Sequence, residues 1–324
     1  MNIKTTFHRK RILITGSTGN IATNLLQELK QADCTIIRLS RPGTQFPNID
    51  GKAHVQNVTG DMREAALWNE VLEGVDVVFH LAAQTSYAGN AFPDDDLDMN
   101  CVPMLQLLET CRQREWCPAV LFAGTVTQTG LPDHLPVDET HPDRPISIYD
   151  LHKLMAEQYL EYFARQGYVR GATLRLANVY GPGPSASGAG RGTLNVMAQR
   201  GLLNQKLPIY GSGNYLRDFV YISDVVDAFL RAAKYIDQLN GHHYVIGSGQ
   251  GHTFASTIRL LSERLAHVAE RRAPTYHVEP PRPLLQIEQR NFVANSSRFA
   301  EITGWRSQVN LTEGIDRTID YYLT

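Results

Sequence analysis

Long apolar runs are missing from this sequence of 324 residues. A membrane-spanning helix needs about 18 uninterrupted apolar residues, and the richest stretch, Val75 to Ala83, already carries Asp76 and His80. Cysteine is scarce. Cys34, Cys101, Cys111 and Cys117 form neither a CxxC pair nor a disulfide framework, which points to reduced thiols in a cytosol. An excess of either charge is lacking too: 31 Lys and Arg against 33 Asp and Glu leave a net charge of -2. Nothing in that balance draws the chain to nucleic acid or to an anionic membrane. The basic start, His8, Arg9, Lys10 and Arg11, is followed only by Ile12, Leu13 and Ile14 before polar residues, which is no signal-peptide core. Among the histidines, His242 and His243 are adjacent, so on a strand they would point to opposite faces, and no metal site is expected. These absences leave a cytoplasmic protein that works on small molecules.

What is present is alternation. Short β-branched runs at Arg11 to Thr15, Thr35 to Leu39, Ala53 to Gln56, Asp76 to Leu81, Ala119 to Ala123 and Ala172 to Leu176 alternate with amphipathic segments. Those segments run from Asn20 to Gln31, Glu64 to Leu72, Leu97 to Arg114 and Tyr149 to Gln166. This order predicts βαβ units and an α/β fold on a doubly wound parallel sheet. After Leu176 a run rich in Gly, Pro and Ser, Gly181 to Gly192, reads as a mobile loop able to close over a substrate. Beyond it the pattern predicts a helix over Leu194 to Leu203, strands at Pro208 to Tyr210 and Asp218 to Tyr221, a helix over Ser223 to Lys234 and a strand at His243 to Ile246. No internal repeat is visible.

The first strand runs directly into Gly16-Ser17-Thr18-Gly19-Asn20-Ile21-Ala22, where a helical pattern begins. Glycines there permit a tight turn and let a pyrophosphate approach the N–H groups at the positive end of the helix. Ala22 keeps the helix close to the strand. The T-G-x-x-G-x-x-A spacing resembles that of extended short-chain dehydrogenases/reductases, the NAD-dependent epimerase/dehydratase family of nucleotide-sugar enzymes. Two further segments carry the likeness in order: Gly60-Asp61-Met62, and Val78-Phe79-His80-Leu81-Ala82-Ala83. The resemblance implies a Rossmann domain of residues 1–177, rejoined by about 217–247, and a smaller C-terminal α/β substrate domain of 178–216 and 248–324. It implies cofactor contacts from Gly16, Ser17, Thr18, Gly19, Asn20, Ile21, Asp61, Met62, Leu81, Ala82 and Ala83, with Asp61 accepting from the adenine amino group.

Tyr149 and Lys153 are four residues apart at the start of a predicted helix and so share a face. A phenol with an ordinary pKa of about 10 is a poor acid–base group near neutrality unless positive charge stabilises its phenolate, and Lys153 can supply that charge. A hydroxyl is also needed to hold the reacting oxygen. Thr125, in Phe122-Ala123-Gly124-Thr125-Val126-Thr127-Gln128-Thr129-Gly130, sits where the family places its catalytic serine or threonine, with Thr127 as the rival that geometry must separate. The family commonly has Tyr-Gly where this chain has Thr129-Gly130.

On the substrate side, Leu174-Arg175-Leu176-Ala177-Asn178-Val179-Tyr180-Gly181-Pro182 and Tyr210 to Asp224 resemble family segments that hold a nucleoside diphosphate sugar. There Asn178 and Arg217 would bind the diphosphate, since guanidinium pairs well with phosphoryl oxygens. Arg282 and Arg290 are further phosphate candidates, and Thr125 and Tyr149 would touch the sugar. Family 4,6-dehydratases carry Asp-Glu after the catalytic threonine, whereas this chain has Val126-Thr127. Enzymes of the GDP-fucose synthase kind place a cysteine where Thr127 stands. The segments Phe122 to Gln128 and Arg290 to Ala294 look most like deoxysugar 4-ketoreductases, so the expected reaction is NADPH-dependent 4-ketoreduction of a nucleotide-linked 4-keto-6-deoxyhexose. The alternatives are an NAD-dependent 4-epimerase and a non-catalytic NAD(P)-binding subunit. NADP(H) is favoured over NAD(H) because Ile36 to Gly43 carries no acid at the strand edge, while Ser40 and Arg41 suit a 2′-phosphate. The helices over Leu97 to Arg114 and Tyr149 to Gln166 resemble the pair that many relatives pack into a homodimer.

Overall fold

The computed structural model describes residues 2–85, 92–183, 192–280 and 283–323. The first half forms strands β1 (Arg11–Thr15), β2 (Thr35–Ser40), β3 (His54–Thr59), β4 (Val77–His80), β5 (Ala119–Thr125) and β6 (Arg170–Leu176). The chain then leaves through β7 (Asn178–Tyr180), β8 (Leu207–Tyr210) and β9 (Leu216–Tyr221), returns as β10 (His242–Ile246), and leaves again through β11 (Gly251–Thr253) and β12 (Thr275–Val278). Seven strands make the main sheet in the order β10-β6-β5-β4-β1-β2-β3, every pair parallel. β7, β9 and β11 make a small mixed sheet, and β8 pairs with β12.

Burial explains the sequence texture. Helices cover both faces of a parallel sheet, so its inner strands read as continuous apolar runs. β1 and β4 are buried almost end to end, whereas β3, at the edge, alternates exposed and half-buried residues. One face packs Leu25, Leu26 and Leu29 of the helix Asn20–Leu29 with Val225 and Phe229 of the helix Ile222–Lys234. The other packs Trp68, Leu107, Leu108, Leu160 and Phe163. A third cluster gathers Leu194, Leu207, Ile209, Phe254, Leu261 and Ile315.

Several expected boundaries move. The third strand extends to Thr59 because its whole length pairs with β2, from Thr35↔His54 to Ser40↔Thr59. The expected single helix over Leu97 to Arg114 is two, Pro93–Asn100 and Val102–Gln113, broken at Cys101. Pro103 has no N–H to donate back into the preceding turn, and its ring crowds that turn's carbonyl. Part of the Gly181 to Gly192 loop, residues 184–191, lies outside the described residues.

One carboxylate joins the excursions to the sheet. Asp218 of β9 is fully buried and accepts from Ser248 N–H (2.8 Å), Ser248 Oγ (2.7 Å), Gly249 N–H (3.0 Å) and Ala294 N–H (3.0 Å). Replacing it leaves the buried Ala294 N–H and the part-buried Ser248 and Gly249 donors without their acceptor. Asp218→Ala is expected to lower the unfolding free energy by about 3 kcal/mol in urea titrations, and a loss below about 1 kcal/mol would remove Asp218 from this role.

Candidate active site

The cofactor end is built by the approach of two strand ends. Thr15 Oγ1 accepts from Leu81 N–H and Ala82 N–H, both at 3.1 Å, and lies 3.1 Å from His80 Nδ1. Burial pushes His80 down to about 3, so its imidazole is neutral. Gly16 follows with φ +62°, and a Cβ there would lie 2.7 Å from Ala82 Cα. Only glycine satisfies both the left-handed backbone and that contact. Gly19 N–H donates to Gly16 O at 2.8 Å and closes the turn; Asn20 then opens the helix, with Thr18 half-exposed beside it. A bare backbone turn at the positive end of a ten-residue helix fits a dinucleotide pyrophosphate.

The remaining cofactor candidates fall around that turn. Ser17 Oγ and Ser40 Oγ are buried and 3.0 Å apart, so the Ser40 hydroxyl faces Ser17, while Arg41 is exposed just past β2. Asp61 is gripped by Arg63, with Nε 3.0 Å from both carboxylate oxygens, and those hydrogen bonds hold its carboxyl below the usual range. Met62 is buried, its carbonyl accepting from Trp68 Nε1 at 2.7 Å. Ile21, Leu81 and Ala83 line a cavity of about 330 Å³, whereas Ala82 packs against Gly16.

The same cavity receives Thr125, Tyr149, Lys153 and Asn178. Thr125 ends β5 and caps the short 3-10 turn Val126–Thr129; Tyr149 and Lys153 come from the helix Ile148–Arg165, whose N-cap Ser147 accepts from Asp150 N–H at 3.1 Å. The competition between Thr125 and Thr127 is resolved by geometry. Thr125 lines the cavity, whereas Thr127 is buried and hydrogen-bonded to Asp150. Lys153 is 1% exposed, its Nζ 3.9 Å from the centre of the Phe122 ring. Burial pulls it down to about 7, against the carboxylates of Glu157 and Asp96, which hold the charge on. The ammonium therefore titrates near neutrality.

Two of the four phosphate candidates, Arg217 and Arg290, sit differently from expectation. Asn178 lines the cavity and donates from Nδ2 to Asp218 O at 2.9 Å. Arg217 and Arg290 do not line it. Arg217 donates to Leu216 O (3.0 Å) and to the carbonyls of Arg290 and Glu288, with its guanidinium 4.5 Å over the Tyr215 ring. Arg290 Nη1 donates to Ile287 O at 2.8 Å. Backbone carbonyls near 286–290 thus hold both guanidiniums, a tertiary contact with no local sequence sign. Arg282 lies outside the described residues.

Sequence reasoning missed four residues. Thr15 joins the strand ends as above. Asn100 holds the backbone beside the cavity, accepting from Gln84 N–H and donating to Gln84 O, both at 2.9 Å. Asp150 and Glu157 follow Tyr149 and Lys153 on their helix, and their one available signal was an acid one and four positions after a motif residue. Glu157 comes within ligand distance of Glu161 and His243, the one three-residue grouping of metal-ligand type among the described residues. Both Glu157 oxygens are already held by Arg175, and Gln128 Nε2 donates to one of them at 3.1 Å.

The model for the NAD dependent epimerase/dehydratase family matches residues 12–247. The chain belongs to this family. It is thus an enzyme of the extended short-chain dehydrogenase/reductase type, and the reading as a non-catalytic subunit falls away. A UDP-glucose 4-epimerase of Mycolicibacterium smegmatis is 28% identical over 318 residues, covering 96% of this chain and 98% of that protein. The crystal structure of UDP-glucose 4-epimerase from Thermotoga maritima, with UDP-glucose, matches with a TM-score of 0.85 and 28% identity, covering 97% of this chain and 98% of that one. The Thermus thermophilus UDP-glucose 4-epimerase complex with NAD matches with a TM-score of 0.81 and 27% identity, covering 97% and 99%. Among the described residues no helix is long and apolar enough to cross a membrane.

The buried lysine has a measurable consequence. In the unfolded chain Lys153 keeps its proton to its ordinary value of 10.5, whereas folded it sheds it near 7. Between those values the unfolded state binds more protons, so stability rises with pH, by at most about 1.4 kcal/mol per unit. The unfolding free energy of the wild type minus that of Lys153→Met is expected to climb from pH 7 to pH 9 in urea titrations. A flat difference would show that Lys153 stays charged in the fold.

Proposed function

We propose that this family member interconverts a UDP-linked hexose and its C4 epimer, using NAD(H) that it retains. The observation that carries the reading is the convergence of Thr125, Tyr149 and Lys153 on one cavity that is also lined by Leu81, Ala83 and Ile21, the residue that follows the Gly16 to Asn20 turn. Full-length similarity to UDP-glucose 4-epimerases supports this chemistry over the ketoreduction expected from the sequence. The Ser40 hydroxyl expected to serve NADP(H) is paired with Ser17, and an NAD-bound neighbour favours NAD(H).

With its pyrophosphate held at the Gly16 to Asn20 turn, NAD(H) would supply a hydride acceptor and donor. In the proposed mechanism Tyr149, as phenolate, takes the proton from the C4 hydroxyl. Lys153 stabilises that phenolate by its charge, which is most effective in a cavity poor in water. Thr125 holds the reacting oxygen with its hydroxyl, and Asn178 stands where the diphosphate enters. Tyr149 then returns its proton when the ketone is reduced from its other face.

The purified protein is expected to carry NAD and to interconvert UDP-glucose and UDP-galactose without added reductant. Tyr149→Phe should lower kcat by about 10²- to 10⁴-fold with KM little changed. Net NADPH consumption with a 4-keto sugar nucleotide, and no interconversion, would establish the ketoreductase in its place. The same reading includes a homodimer through the helix Ile148–Arg165, which leaves Leu151 and Tyr162 40% and 55% exposed, three turns apart on one face. Light scattering at micromolar concentration is expected to give twice the chain mass, and a monomer would refute it.

A further inference from the structure

A line of polar side chains runs from the cavity into the protein. Thr125 Oγ1, at the cavity wall, lies 2.9 Å from Thr127 Oγ1. Thr127 Oγ1 is in turn hydrogen-bonded to Asp150 Oδ1, and Ser147 Oγ donates to Asp150 Oδ2 at 2.6 Å. Asp150 is fully buried and Thr127 nearly so, and neither lines the cavity. The line ends at the carboxyl next to Tyr149 in sequence.

Each hydroxyl has one proton to donate, so the charge of Asp150 sets the direction of the Asp150–Thr127 and Thr127–Thr125 bonds. Were Asp150 ionised, Thr127 would point its proton at the carboxylate, and the Thr125–Thr127 bond would have to be donated by Thr125. The Thr125 proton would then face away from the cavity. With Asp150 neutral the order reverses: Oδ1–H donates to Thr127, Thr127 donates to Thr125, and Thr125 is free to donate to the reacting oxygen. Ser147 fits the neutral form as well, because its hydroxyl donates to the carbonyl oxygen Oδ2 while accepting Asp150 N–H. The C4 oxygen needs a donor as alcohol, alkoxide and ketone alike when Tyr149 handles its proton.

We infer that Asp150 works as a neutral carboxylic acid and, through Thr127, turns the Thr125 hydroxyl outward onto the reacting oxygen. This rests on the proposed function only for the identity of that oxygen. Asp150 and Thr127 are positioning residues. The charged groups facing the carboxyl are Arg290, which favours the ionised form, and Asp96 of the helix Pro93–Asn100, which opposes it. The first turn of its own helix also favours ionisation. Burial outweighs these and the hydrogen bonds from Ser147 and Thr127, which also favour the ionised form, so the carboxyl is raised above its ordinary value. A buried acid kept neutral in order to donate is a known device for holding an oxygen in a catalytic site.

The test uses the full chain and three variants whose folding is checked by circular dichroism. At neutral pH, infrared difference spectroscopy is expected to show a carboxylic acid C=O band that Asp150→Asn removes. Asparagine can donate to Thr127 and accept from Ser147, so Asp150→Asn should keep kcat for UDP-glucose within about threefold at low pH, and its ratio to wild type should rise as pH increases. Thr127→Val should lower kcat about tenfold, the worth of one neutral hydrogen bond, with KM nearly unchanged, and Thr127→Ser should restore it. Absence of the band, together with an Asp150→Asn loss of kcat by one constant factor at every pH, overturns the inference. A wild type that shows the band but turns over no UDP-sugar overturns the functional reading and leaves the neutral Asp150 supported.

Discussion

The burial of one ammonium group organises much of this molecule. Lys153 is out of water against the Phe122 ring, and a cation there persists only if nearby carboxylates hold it. Those carboxylates need partners of their own. Asp96 accepts from Asn100 Nδ2 at 3.0 Å and sits 2.8 Å from His152 Nδ1. Glu157 meets Arg175 and Gln128, and Arg175 reaches on to Asp143 at 2.6 and 2.8 Å. The helices Pro93–Asn100 and Ile148–Arg165 are thereby tied to β5, β6 and the loop that carries Asp143. The lysine that serves the proposed chemistry is also the charge around which the polar interior is arranged.

A second constraint comes from the parallel sheet. Strands that all point one way deliver their carboxyl ends to one edge, and ligands of such sheets bind outside that edge. Here β1 and β4 meet through Thr15 and the Gly16–Ala82 contact, and β5 and β6 bring Thr125 and Leu176 to the same rim. The chain leaves the sheet just after β6, so Asn178 begins the excursion within reach of the cavity. Asp218 then fastens β9 to segments that follow β10. One cavity between the rim and the excursion is the result.

Much of this was legible from local pattern. The alternation of apolar runs and amphipathic segments revealed the βαβ order, because burial on both faces of a parallel sheet leaves a direct mark on composition. Thr15 to Ala22 could be read because a left-handed turn against another backbone admits only glycine. The break at Cys101 was missed although Pro103 was in view, since prolines also occupy the first turn of uninterrupted helices. The arginines were harder. A guanidinium suits phosphate wherever it stands in sequence, and only the fold shows Arg217 directed at the carbonyls of Glu288 and Arg290, about seventy residues away.

The sequence by itself determined the sheet class, the glycine turn and the four-residue spacing of Tyr149 and Lys153, because backbone geometry and helical periodicity act over a few residues. Tertiary structure decided that Thr125 faces the cavity while Thr127 turns to Asp150, that Lys153 is desolvated enough to titrate near neutrality, and that Ser40 faces Ser17. Each of these depends on which distant groups share a small, dry volume. Hydrogen-bond direction and the cost of burying charge are properties of that volume, not of the residues taken one at a time.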